Sequence, residues 1–209
     1  MTARYRLLGC QGCGSAIVEC AFALAGVPLE YEEVDYSAGS ATRERLLAVN
    51  PLGQVPALLM PDGSVMTESL AIVHYVNDLV PKAGLVPAKG DADRVPFLRW
   101  STFIVSALYP TWTYGDEPAK WVEDTKGAKQ LRESTDEHRR KLWLQVEEIV
   151  KEPYFLGGRM TALDLYVANM TRWRPGVAWF AKNAPKLNAI AQKTSATAKV
   201  ADVIKRNFD

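Results

Sequence analysis

Hydrophobic and polar positions change rhythm several times along the chain. Tyr5 to Leu8 is a short run with strand character. A glycine-rich loop follows, Gly9-Cys10-Gln11-Gly12-Cys13-Gly14-Ser15. From Ala16 to Ala25, Ile17, Cys20, Ala21 and Leu24 recur at helical spacing, and Gly26 supplies a stop. Leu29 to Asp35 alternates imperfectly, which predicts an edge or half-buried strand. Thr42 to Val49 reads as a short helix. Asn50-Pro51-Leu52-Gly53 is a turn, and Asn50 ends the helix before it. Ala57 to Met60 is a short buried strand, Asp62-Gly63 a hairpin turn, and Ser64 to Met66 the returning strand. Thr67-Glu68-Ser69 opens a helix in which Leu70, Val73 and Val76 keep helical spacing. Beyond this point the pattern is helical. Asp91 to Leu108 carries the stripe Val95, Leu98, Thr102 and Val105. Tyr109-Pro110-Thr111-Trp112-Thr113-Tyr114 interrupts it. Residues 123 to 151 form a long charged helix with Asp136/Arg140 and Glu137/Lys141 four apart. Thr161 and Asp164 make a capping-box-like start to the run Leu165 to Met170. Lys199 to Asp209 is a final short helix.

Composition divides this pattern in two. Residues 1–80 hold four arginines, no lysine and nine acids, net −5; the remainder holds 21 bases and 15 acids, net +6. All six tryptophans lie at or beyond Trp100. The shift falls at the Pro/Gly-containing stretch Val80 to Pro87. We therefore expect an α/β domain over 1–80, a linker over 81–90 and an all-α domain over 91–209. The whole chain, 209 residues with 48% hydrophobic and 23% charged, has ordinary globular composition. A net charge of +1 gives no reason to expect nucleic acid or an anionic membrane as a partner. No apolar run reaches the roughly 18–20 residues a membrane span needs. Arg4 and Arg6 interrupt any signal-peptide core, so a cytoplasmic protein is expected. Three cysteines, all within residues 10–20, argue against a secreted disulfide framework. With His74 and His138 they make no sensible metal-ligand set, so no metal is expected.

Two stretches carry chemistry. In the first, a proline opens a strand, and beside it a helix starts on Glu68-Ser69. A proline donates nothing to a sheet ladder. A helix start offers unpaired N–H groups that favour a carboxylate. Together they suit a small extended molecule carrying a backbone and an acid group. The second is the Cys10–Ser15 loop. A thiol or hydroxyl at a helix start feels the helix dipole, which favours a thiolate. Cys13 is the first candidate, then Ser15, then Cys10. Ser15 also suits a plain helix cap. Cys20, at helical spacing, reads as packing. Cys10-Gln11-Gly12-Cys13 is also a C-x-x-C, a spacing at which one thiol can attack and the other resolve.

The run Asn-Pro-Leu-Gly-Gln-Val-Pro-Ala-Leu (50–58), with Asp62-Gly63 and Thr67-Glu68-Ser69, resembles the glutathione-binding half of cytosolic glutathione S-transferases. Residues 157–168 resemble that family's buried N-capping segment. The resemblance implies a thioredoxin-like domain, β-α-β-α-β-β-α with a cis Pro56, followed by an all-helical domain. It implies that Val55 pairs through its backbone with the cysteinyl part of glutathione and that Glu68 and Ser69 hold the γ-glutamyl end, with Gln54 as a weaker carry-over. Glutathione is then a co-substrate, activated for attack on an electrophilic hydrophobic substrate in detoxification, and the protein a homodimer. The resemblance further implies that Tyr109, Trp112 and Tyr114 line an acceptor pocket. Core packing is the competing reading for these three aromatics. The site is of a serine/cysteine-loop type, because Tyr5 lies inside its strand. Two alternatives remain open: a glutathione-dependent thiol–disulfide or dehydroascorbate reductase using Cys13, and a non-catalytic binding protein on the same fold. The sequence departs from the family at the glycyl end of the ligand. Leu52 stands where some relatives have Lys, and only Arg43 or Arg45 could substitute.

Overall fold

Four strands make one mixed sheet in the order β2-β1-β3-β4. They are β1 (Tyr5–Gly9), β2 (Leu29–Glu33), β3 (Ala57–Leu59) and β4 (Val65–Met66) in a computed structural model that describes residues 4–209. β2 runs parallel to β1, β3 antiparallel to it, and β4 antiparallel to β3. The parallel step needs a crossover, and α1 (Ser15–Ala25) supplies it. Leu7, Leu8, Ala16, Ile17, Val18, Cys20 and Ala21 are all fully buried, as the apolar β1 and α1 require. Gly26, at φ 69°, ends α1 in the left-handed region that a Cβ would disfavour. β2 is an edge strand, largely half-buried, in keeping with its imperfect alternation. α2 (Ala41–Val49) ends at Asn50, and α3 (Ser69–Leu79) follows β4.

The strand registers decide where the chemistry sits. Gly9 pairs with Glu33, Leu8 with Ala57, and Leu58 with Met66. The exits of β1, β2 and β4 and the entrance of β3 thus share one end of the sheet. The Cys10–Ser15 loop, Tyr36 just beyond β2, Val55-Pro56 and Glu68-Ser69 all gather there.

Residues Pro87–Gln192 form a second compact unit, all helical. It holds α4 (Arg94–Phe103), α5 (Pro110–Asp116), α6 (Thr125–Ile149), α7 (Ala162–Met170), α8 (Val177–Asn183) and most of α9 (Pro185–Ser195). The single helix expected over 91–108 becomes α4 plus a π-helical turn over Ile104–Leu108, with the Tyr109 N–H donating to the Ile104 carbonyl at 2.9 Å. Pro110 follows at once. Its ring and missing N–H disturb the preceding turn, and a wider register there is a physical response to that. Every residue of α7 is buried. Asp164 accepts from the Phe155 and Thr161 N–H groups, each at 2.7 Å, as the folding role expected for it requires.

The last helix belongs elsewhere than the sequence placed it. We expected 91–209 to be one all-α domain, but Lys193–Asp209 clusters with the residues up to Val86. α10 (Ala198–Phe208) packs against α1, burying Val200, Val203, Ile204 and Asn207. Arg206 pairs with the buried Glu19 of α1, and the Asn207 amide donates to the other Glu19 oxygen at 3.1 Å. Among the described residues no helix is long and apolar enough to cross a membrane.

Candidate active site

The β1–α1 loop is held from four directions. The Ser15 hydroxyl accepts from the Cys10 N–H and donates to the Cys10 carbonyl, both at 3.1 Å. The Gln11 N–H donates to Glu33 at 2.9 Å, and the Gln11 side chain donates to the Arg206 carbonyl at 2.5 Å. The Gly12 N–H donates to the Asn207 side-chain oxygen at 3.2 Å. The Cys13 N–H closes the turn on the Cys10 carbonyl at 3.1 Å. Ser15 is itself fully buried. Its position and bonds are those of a group that shapes the loop.

The two thiols of this turn are free and not joined as a disulfide, and the Cys10 thiol donates to the Gln11 carbonyl at 3.6 Å. They titrate in opposite directions. The neighbouring Cys13 thiol holds the Cys10 thiol below its ordinary value, ahead of the opposing effect of burial. Cys13 is pushed up, first by the neighbouring Cys10 and then by its own burial. A depressed Cys13 was expected from its nearness to the helix start. The partner thiol reverses that ordering, because Cys13 is the more deeply seated of the two and pays more to ionise. Cys20 is fully buried in the core, as expected. Tyr5 is tied to the Tyr75 hydroxyl at 2.8 Å, and burial raises it to about 12, so it is no thiol activator.

At the neighbouring position, the Val55–Pro56 peptide is cis. Val55 packs on the cluster of Leu8, Val34, Leu46 and Ala57. The hydroxyl of Tyr36 lies close to the Val55 N–H. Burial raises the Tyr36 hydroxyl to about 12, with the nearby Cys13 and Cys10 sulfurs adding to the shift. Only the strand registers bring Tyr36 here, and no local pattern announces it. The Asn50 side chain donates to the Gln54 carbonyl at 2.7 Å, which fixes the turn before Val55. The Gln54 side chain itself is exposed.

Glu68 is the one described residue other than glycine with positive φ, at 64° with ψ 104°. That backbone is strained for a residue with a side chain, and such strain concentrates at functional sites. Glu68 is exposed, and its carboxylate has no ion pair among the described residues. Ser69 beside it is buried at the first turn of α3. Of the two arginines considered for a glycyl anchor, Arg45 is paired with Glu32 at 2.5 Å, and Arg43 donates to the Tyr36 carbonyl at 3.4 Å. A cleft of about 260 Å³ opens beside the loop between Gln11, Tyr31, Glu33, Arg206 and Asn207. Its polar groups are already engaged, Glu33 with Gln11 and Tyr31, and Arg206 and Asn207 with Glu19, so we place the site at Cys10, Val55 and Glu68.

In the helical unit, Tyr109, Trp112 and Trp173 form an edge-to-face cluster with centroids 5.4 to 6.3 Å apart. Trp112 is buried, with the Arg139 guanidinium 4.4 Å from its ring centre. Tyr114 is half-exposed and packs on Trp121 at 4.8 Å instead. The three aromatics singled out in the sequence therefore do not converge.

Residues 15–79 match the family model described as the glutathione S-transferase N-terminal domain. The chain is 36% identical to the Escherichia coli K12 "uncharacterized GST-like protein YncG", over 97% of this chain and 98% of that one. The chain belongs to the glutathione S-transferase family. Another relative of this transferase is GstA of E. coli O157:H7, 29% identical over 75% of each chain. Among solved structures, a glutathione transferase homologue from sulfitobacter with bound glutathione superimposes with a TM-score of 0.84, at 26% identity over 97% of this chain and 98% of that one. A sphingomonad glutathione S-transferase complexed with glutathione gives 0.70, at 27% identity over 96% and 97%.

Proposed function

We propose that this glutathione transferase binds glutathione across the shared end of its sheet and ionises the thiol beside the Cys10–Ser15 loop. The observation that carries the reading is the meeting of Val55-cis-Pro56 with the unpaired Glu68 and the buried Ser69 at one end of the sheet. Each part has a role in physical terms. The Val55 backbone pairs with the cysteinyl part, and the Tyr36 hydroxyl moves aside from the Val55 N–H when the ligand arrives. Glu68 meets the γ-glutamyl ammonium. Ser69 and the first N–H groups of α3 meet the α-carboxylate, where a helix start favours an anion. Gln54 flanks the peptide. The bound sulfur then lies near Cys10 and Cys13, whose S–H groups can donate to a thiolate.

The thiol proton leaves to solvent. The thiolate forms a carbon–sulfur bond with an electrophilic carbon, and the leaving group departs with its electron pair, or a strained ring opens. No metal is called for. The half-buried Tyr109 stays the candidate for contact with the acceptor, whereas Trp112 is held in the core by Arg139 and Trp173. A homodimer working in the cytoplasm, removing reactive electrophiles, completes the proposal. A panel of an aryl halide, an epoxide, a peroxide and a hydroxyethyl mixed disulfide, each with glutathione, tests it. Glutathione-dependent turnover of at least one is expected, and inertness toward all four would refute it.

A further inference from the structure

Conjugation needs a donor to one bound sulfur. It gives no reason for two free thiols in one tight turn. We propose that Cys10 and Cys13 are a redox-active dithiol that reduces glutathione-containing mixed disulfides, with Cys10 attacking and Cys13 resolving. The choice of substrate rests on the glutathione-binding reading above; the dithiol itself does not.

The geometry suits the bond that must form. Cys10 to Cys13 is a four-residue turn closed by the Cys13 N–H on the Cys10 carbonyl. Such a turn brings its end Cα atoms within about 7 Å, and a disulfide needs roughly 4.4–6.8 Å. Gly12, third in the turn, has φ 72°, a conformation a side chain would resist. The turn is clamped by Ser15, Glu33 and Asn207, so the sulfurs are kept together rather than meeting by chance. The two thiols are also unequal. Cys10 follows directly on the strand, and its thiol is held below its ordinary value, as an attacking sulfur's is. The Cys13 thiol is pushed up and keeps its proton, as a resolving thiol does until it is needed.

The steps balance. The Cys10 thiolate attacks the glutathionyl sulfur of a mixed disulfide, forming a Cys10–glutathione disulfide and expelling the other half as a thiolate that takes up a proton. Cys13 loses its proton and attacks the Cys10 sulfur, releasing glutathione and leaving a Cys10–Cys13 disulfide. Two further glutathione molecules reduce that disulfide and leave as glutathione disulfide. The enzyme ends unchanged, and one substrate disulfide has been reduced at the expense of two thiols.

The test uses the full-length wild-type protein, equilibrated with glutathione disulfide, quenched in acid, alkylated and weighed. The expected product lacks two hydrogens, resists alkylation at Cys10 and Cys13, keeps Cys20 as a thiol and reverts in dithiothreitol. In turnover with glutathione and a hydroxyethyl–glutathione disulfide, Cys10→Ser should abolish the reductase activity. Cys13→Ser, mixed with the disulfide without free glutathione, should accumulate a single glutathionyl adduct on Cys10. Absence of the internal disulfide in wild type, or full reductase activity in Cys10→Ser, would overturn the proposal. Retention on immobilised glutathione separates the two readings. Retention without an internal disulfide defeats the dithiol alone. A reversible disulfide without retention keeps the dithiol, and defeats glutathione as its co-substrate together with the proposed function.

Discussion

Cys10 and Tyr36 carry the residue-scale consequences. Because the Cys13 thiol beside it favours its ionised form, the Cys10 thiolate forms at lower pH than that of Cys13. Iodoacetamide at about pH 7 should therefore label Cys10 well before Cys13, with the buried Cys20 last. Peptide mapping that finds Cys13 labelled first would contradict the ordering. The Tyr36 hydroxyl lies close to the same Val55 N–H that the ligand needs. Tyr36→Phe removes this competitor, so glutathione should bind more tightly by about 0.5–1 kcal/mol, the worth of one exposed neutral hydrogen bond. Weaker binding in calorimetry would instead make the Tyr36 hydroxyl a ligand contact. Neither residue's part was legible in the sequence. The C-x-x-C spacing marks two thiols but leaves open which is more enclosed, and Tyr36 meets Val55 only once β2 is laid beside β1.

The elements divide along the same physical line. Those fixed by local rules were legible: α1 with its glycine stop, the edge strand β2, the β3–β4 hairpin, and α3 opening on Glu68-Ser69. Features settled by packing were not. The π-helical turn at Ile104–Leu108 and the attachment of α10 to α1 depend on neighbours distant in sequence. The capping segment of α7 was legible because its pattern is local, and it makes a clear prediction. Asp164→Ala loses a cap and leaves the Phe155 and Thr161 N–H groups buried without a partner, at a cost of about 2–4 kcal/mol. Burial raises the Asp164 carboxyl to about 6, although its hydrogen bonds work the other way. The folded chain thus keeps a proton there that the unfolded chain releases near the usual carboxylate value of about 4. That part of the stability is complete below about pH 4 and is lost as the pH rises through about 6. The stability gap between wild type and Asp164→Ala in urea should narrow over that range and then level off. A gap that widens with pH would mean that the carboxylate is stabilised in place.

For the whole molecule, a homodimer is expected. Residues 1–86 with 193–209 carry a net −2 and residues 87–192 a net +3, opposite signs that favour association between copies. Light scattering at micromolar concentration should give twice the 23.1 kDa of the chain, with some loss at high salt, and a monomer at all concentrations would exclude it. The central claim is that the Val55, Glu68 and Ser69 end of the sheet holds glutathione. Calorimetric titration of glutathione into wild type and Glu68→Ala tests it most directly. Wild type should bind one glutathione per chain. The variant should bind more than about tenfold more weakly, since a charge-assisted contact is worth about 1.5–3 kcal/mol. No heat of binding in wild type, or equal affinity in the two proteins, would contradict the claim.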